Sequence, residues 1–148
     1  MDFIIEQRPS QPVLYMRRTG PYGSESYGLM TALKDWADRK GLLTDSVIYG
    51  IARDNENTPA EECRYDVCLV AASDVRADGQ VQRGEIPGGK YAVFTVEHTA
   101  EAIQAFWTSV IERLQKEGLQ FDMTRSILER YEYRLVEEGQ CEFCVPVI

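Results

Sequence analysis

The order of elements along this chain repeats itself, and that repeat constrains the fold more than any single motif. Apolar alternation predicts short strands at Phe3 to Gln7 and Val13 to Arg18, followed by a turn at Gly20-Pro21. A helix is expected from about Ser24 to Lys40, with Tyr27, Met30, Leu33, Trp36 and Ala37 on one stripe, stopping at Gly41. Strands at Val47 to Ala52 and Arg64 to Ala71 complete the first half. The second half runs through the same order. It has a strand at Val81 to Ile86, a turn at Pro87-Gly88-Gly89, and a strand at Tyr91 to Glu97. Thr99 then has the chemistry of an N-cap for a helix ending near Gly118, with Ile103, Phe106, Trp107, Val110, Ile111 and Leu114 facing inward. Strands at Ile127 to Leu135 and Cys141 to Val147 close the chain.

The two helix-ending glycines, Gly41 and Gly118, stand 77 residues apart, and each leads through a short polar link into a strand. That is the trace an internal duplication of a β-β-α-β-β unit leaves. The expected fold is therefore α+β, with pseudo-repeats at about 1–75 and 79–148 related by a pseudo-twofold axis. Antiparallel sheets and two helices would surround a central cleft at the symmetry line. A chain of 148 residues suits one domain and is short for two independent ones.

Glu129 is the residue that gives this cleft chemistry. In an extended strand alternate side chains share a face, which places Glu129 with Ile127, Tyr131 and Tyr133, away from Ser126, Arg130, Glu132 and Arg134. A carboxylate on the aromatic side of a strand is costly to bury without a partner or a proton. Either the protein pairs it, or the position serves a ligand or a proton transfer. The first-half counterpart, near Tyr49 to Ile51, carries no acid, so the cleft is expected to be asymmetric.

Composition removes several function classes. Sixteen basic against 24 acidic residues give a net charge of −8, without the Lys/Arg stripe that tracks phosphates, so direct nucleic-acid binding is not expected. Apolar runs are too short for a membrane span, and the first residues from Met1 lack signal-peptide order, which together predict a cytoplasmic protein. The cysteines fall into pairs, Cys63 with Cys68 and Cys141 with Cys144, at odd spacings that send the two sulfurs of a strand to opposite faces. They read as small buried apolar residues, with no metal site expected. Gly88-Gly89 lies between two strands and not at a strand-to-helix junction, so no nucleotide loop and no cofactor are expected. His98, the sole histidine, reads as a solvated residue at a helix start.

Four segments, in order, carry a family resemblance. They are Tyr15-Met16-Arg17-Arg18-Thr19-Gly20-Pro21-Tyr22, the loop from Asp54 to Asp66 with its Thr58-Pro59, the stretch Ile86-Pro87-Gly88-Gly89-Lys90-Tyr91-Ala92-Val93-Phe94, and the strand Leu128-Glu129-Arg130-Tyr131. Together they resemble the DNA gyrase inhibitor (GyrI-like) small-molecule-binding family, related to the effector domains of Rob/AraC-type and MerR-type multidrug regulators. The resemblance spans essentially the whole chain. It implies a duplicated α+β fold whose cleft accepts amphipathic, often cationic, aromatic compounds through a glutamate at the position of Glu129.

The residues assigned to ligand contact are Glu129, Tyr131, Trp107, Tyr65 and Tyr49. Trp107 is placed there by a tryptophan at the corresponding helix position in gyrase inhibitors, against a core role read from its stripe. Arg64, Asp66, Thr58 and Pro59 are read as ordering the loop. Three activities fit. The chain could bind and sequester or sense a xenobiotic. It could be a hydrolase that opens cyclopropane rings of DNA-alkylating compounds, with Glu129 as general acid/base. It could instead modulate DNA gyrase by protein contact. The first expected strand begins at Phe3, so no helix-turn-helix is expected ahead of it and transcriptional control by this chain alone is not expected.

Overall fold

The computed structural model describes residues 2–55 and 57–148; Met1 and Glu56, quoted above, lie outside them. Among the described residues there are eight strands and three α-helices, and all but the third helix follow the duplicated order. The first half contributes β1 (Phe3–Arg8), β2 (Gln11–Thr19), α1 (Ser26–Arg39), β3 (Val47–Ala52) and β4 (Arg64–Val70). The second contributes β5 (Gln82–Ile86), β6 (Gly89–Glu97), α2 (Ala100–Lys116), β7 (Leu128–Glu132), α3 (Tyr133–Glu137) and β8 (Gln140–Pro146).

The helix ends show the duplication in their hydrogen bonds. Gly41 and Gly118 both adopt φ +71°, a left-handed conformation that glycine enters without a Cβ clash. After Gly41 the Leu42 N–H donates to Ala37 O at 2.8 Å; after Gly118 the Leu119 N–H donates to Leu114 O at 2.9 Å. Both are the same glycine-terminated cap, closing the last carbonyls of α1 and α2. At the other end of α2, the Thr99 hydroxyl accepts from Ala102 N–H at 3.2 Å.

The strands form one antiparallel sheet in the order β1-β6-β8-β7-β3-β4-β2-β5, so the sheets of the two halves, expected to flank the axis, are continuous across it. The halves are joined by β3 and β7, with Gly50 opposite Glu129 and Ile48 opposite Tyr131. Each half also gives its first strand to the other: β1 pairs with β6, and β5 with β2.

Both helices cover the same face of the sheet. Leu33, Trp36 and Ala37 of α1 pack on Leu14, Met16, Val67 and Leu69, while Phe106, Val110 and Leu114 of α2 pack on Phe94, Val96, Phe143 and Val145. Burying a large apolar side chain in this way stabilises by about 1.5–3 kcal/mol. The opposite face holds a third core that includes Val13, Tyr49, Ile51, Tyr91, Leu128 and Cys144. Because α1 packs chiefly over β2 and β4 and α2 over β6 and β8, the two helices diverge over the central pair β3 and β7. The cleft is that gap.

Some expectations need correction. The strand expected to reach Leu135 ends at Glu132, and Tyr133 starts α3, a helix too short to produce a periodic signal; Gly139, at φ +77°, turns the chain back into β8. Tyr133 therefore leaves the line of Glu129. On the helices, Tyr27, Trp107 and Ile111 were expected to face inward but are 76 %, 42 % and 46 % exposed. All four cysteines are buried, with Cys141 and Cys144 on opposite faces of β8. Cys63 precedes β4, and its thiol lies 3.6 Å from Pro59 O. Among the described residues no helix is long and apolar enough to cross a membrane.

Candidate functional site

A cleft of about 620 Å³ opens over β3 and β7, walled by residues of α1, α2 and α3 and by the loop that precedes α1. Glu129 lies on its floor. The alternation of β7 sends Leu128 into the far core and turns Glu129 and Tyr131 to the cleft; on β4, Tyr65 faces the same way.

The Tyr65 hydroxyl donates to Glu129 Oε1 at 2.5 Å. This contact depends on Gly50. A Cβ built at Gly50 would stand 2.2 Å from Tyr65 Oη and 2.5 Å from Glu129 Oε1, so only a residue without a side chain leaves room for the pair. Gly50 is the cross-strand partner of Glu129, and the asymmetry of the duplication is thus concrete: an acid in one half faces an absence of side chain in the other.

No lysine or arginine among the described residues pairs with Glu129. Burial pushes its carboxyl above the ordinary carboxylate range, and the hydroxyls of Tyr65 and Tyr131 offset only part of that. Desolvation and the adjacent Glu129 charge push the phenols of Tyr65 and Tyr131 upward in turn, so both stay protonated as donors. The arrangement is a carboxylate held by two neutral donors in aromatic surroundings, with no basic side chain in ion-pair contact among the described residues.

Aromatic contacts extend outward from this centre. Tyr22 meets Tyr65 edge-on at 6.4 Å between centroids, and its hydroxyl fixes the loop by donating to Arg64 O at 3.0 Å and accepting from Asp54 N–H at 3.0 Å. His98 lies 5.5 Å from Tyr131. It is exposed, as expected, yet it lines the cleft. The sequence reading missed Tyr22, Tyr27, Met30, Lys34 and Ile103 as lining residues. Tyr27 and Met30 had been assigned to the apolar stripe of α1, and the stripe runs past the end of the core into the cleft.

Of the five residues assigned to ligand contact, the structure brings together Glu129, Tyr131 and Tyr65. Tyr49 lies on the opposite face of β3 at 1 % exposure, where its hydroxyl accepts from Arg8 Nη1 at 3.1 Å and donates to Gln11 Oε1 at 2.8 Å. Strand alternation is the reason: Ile48 and Gly50 point to the helices, so Tyr49 cannot. Trp107 is outside the lining, one turn beyond Ile103, with its ring edge-on to Phe143 at 5.4 Å. Arg64 holds Asp54 through Nη2 at 2.8 Å, and Asp66, fully buried, receives Arg17 at 2.7 and 2.9 Å and Arg53 at 2.8 Å.

Comparison with known proteins identifies the family and the fold. The family described as "GyrI-like small molecule binding domain" matches residues 1–148. YosT, an SPbeta prophage-derived protein of Bacillus subtilis (strain 168) named as a candidate transcriptional regulator, is 39 % identical over 149 residues, covering 99 % of each chain. A DNA gyrase inhibitor of Pectobacterium carotovorum subsp. carotovorum (strain PC1) is 29 % identical over 122 residues, 80 % of this chain and 79 % of that one. Among solved structures, EcmrR in its DNA complex superposes with TM-score 0.75 at 14 % identity, over 99 % of this chain and 57 % of EcmrR. The chain thus spans little more than half of that EcmrR chain, and the isolated EcmrR C-terminal domain is matched over 97 % of its length, and 99 % of this chain, with TM-score 0.74 and 13 % identity. The protein SAV2435, solved with tetraphenylphosphonium bound, superposes with TM-score 0.62 at 15 % identity, over 100 % of this chain and 94 % of that one.

Proposed function

Because this chain belongs to the GyrI-like small-molecule-binding domain family, we propose that its cleft binds amphipathic aromatic cations, with Glu129 as the countercharge and Tyr65 and Tyr131 as its flanking contacts. One observation carries the proposal: a carboxylate without a basic partner among the described residues, held by tyrosines in a cleft of drug-sized volume.

The physics favours a lipophilic cation over a small hydrated one. A delocalised or shielded charge leaves water at modest cost, and its attraction to Glu129 is strengthened by the desolvation that keeps the carboxyl above its ordinary range. Each tyrosine face adds a cation–π contact of roughly 0.5–2 kcal/mol. The tetraphenylphosphonium carried by SAV2435 is a ligand of this chemistry, and the likeness of fold supports the reading. Residues 1–148 act as one binding unit, since the walls of the cleft come from both halves of the duplication.

The test is calorimetric titration of tetraphenylphosphonium into wild type and Glu129→Gln, which keeps shape and removes charge. The expected loss is about 1–3 kcal/mol, or roughly five- to 150-fold in affinity. Equal affinity in the two proteins would overturn the proposal.

A further inference from the structure

We propose that Lys34 makes this cleft selective for aromatic molecules carrying both a cationic and an anionic group; the inference rests on the reading of Glu129 given above. Lys34 stands on α1 one turn after Met30 and lines the same cleft as Glu129. It is the one lysine or arginine among the lining residues described.

Its lack of a partner is not for want of acids. The chain has 24 acidic against 16 basic side chains, and Asp38 lies one turn further along α1, at the spacing where helix neighbours meet. Among the described residues, nevertheless, no carboxylate forms an ion pair with Lys34, whereas Lys40 on the same face of the sheet reaches Asp78 at 2.5 Å.

The cleft therefore presents two unmatched charges of opposite sign, Glu129 on the floor and Lys34 on the α1 wall, within one space of about 620 Å³. A molecule that is only cationic satisfies Glu129 and leaves Lys34 as a like charge beside it. A molecule whose cationic aromatic body rests on Glu129 and whose carboxylate reaches Lys34 satisfies both. Ser24 and Ser26 line the same cleft, and a serine hydroxyl is a neutral donor suited to that carboxylate. Lys34 is exposed, so its share is a modest, salt-sensitive preference on top of the Glu129 interaction.

Rhodamine B, a zwitterion at neutral pH, and its ethyl ester, a plain cation of nearly the same shape, separate the two terms. Both are titrated into wild type, Lys34→Gln, Lys34→Arg and Glu129→Gln. Wild type should favour the acid over the ester by about two- to fivefold at low salt, with the preference shrinking as salt is added. Lys34→Gln should abolish the preference by weakening the acid and, with the like charge gone, slightly tightening the ester, and Lys34→Arg should keep it. An acid-to-ester ratio unchanged by Lys34→Gln, or no binding of the acid to wild type, overturns the inference. Glu129→Gln should weaken both dyes; if it weakens neither while the Lys34 ratio still responds, the Glu129 reading falls instead.

Discussion

Replacing Gly50 with alanine tests the site at the point where the fold and the chemistry meet. The new Cβ would stand 2.2 Å from Tyr65 Oη and 2.5 Å from Glu129 Oε1, so one methyl group forces the hydroxyl and the carboxylate apart. Gly50 does not occupy the left-handed region, so its backbone accepts alanine, and stiffening the unfolded chain returns about 0.5–1 kcal/mol. Against this stand overpacking, at about 1–3 kcal/mol, and loss of a hydrogen bond to a charged group, at about 1.5–3 kcal/mol. The expected net destabilisation is about 2–5 kcal/mol, read by urea unfolding at neutral pH. The mechanism is isolated by a double-mutant cycle with Tyr65→Phe. Without the hydroxyl the nearest Tyr65 atom to the new Cβ is its ring carbon at 3.2 Å, so Gly50→Ala should then cost at least about 1 kcal/mol less. Strict additivity of the two changes, or a stability within about 0.5 kcal/mol of wild type for Gly50→Ala, would refute the reasoning.

Two further outcomes follow from the charges. Burial raises the Glu129 carboxyl in the folded protein, so the site is protonated at pH values where a free glutamate is already ionised. Affinity for a permanent cation such as tetraphenylphosphonium should climb as pH rises through that raised value and then level off, with the slope absent in Glu129→Gln; a pH-independent wild-type affinity would contradict this. For the same reason Glu129 stabilises the fold relative to higher pH only while protonated, and that contribution is lost as pH rises through the folded value. Asp66 behaves in the opposite sense. Burial alone would raise it, but the guanidiniums of Arg17 and Arg53 hold it below the ordinary aspartate range, so its contribution is present above that range and is lost as pH falls through the lowered value. Asp66→Asn should cost about 2–4 kcal/mol at neutral pH, less than a fully enclosed pair because both guanidiniums reach solvent, and should flatten the acid limb of the stability curve; thermal unfolding across pH measures both.

Much of this protein was determined by its sequence alone, wherever the determinant is local. Helix ends are one such case: Gly41 and Gly118 close α1 and α2 through the φ +71° that glycine permits, and Thr99 caps α2 with its own hydroxyl. Strand alternation is another, and it placed Glu129 and Tyr131 on one face before any contact was known. The spacing of the glycines announced the duplication because both copies end their helices by the same backbone chemistry.

What only the tertiary structure decided depends on residues far apart in the chain. Periodicity states that two faces of a strand differ but not which face a neighbouring strand shares, so Tyr49 and Tyr65 looked equivalent until β3 and β4 were set side by side. The exchange of β1 and β5 between halves, and the pairing of β3 with β7 that makes one sheet of two, are long-range hydrogen-bonding choices with no local signature. The gap between α1 and α2 follows from where each helix finds its apolar partner strands, and it exposes Tyr27 and Lys34, on the stripe and flank of α1, to the cleft. Gly50 shows the limit most clearly. A glycine inside a strand reads as a weakness in the sequence, and only the approach of Tyr65 and Glu129 from two other strands explains why no side chain can stand there.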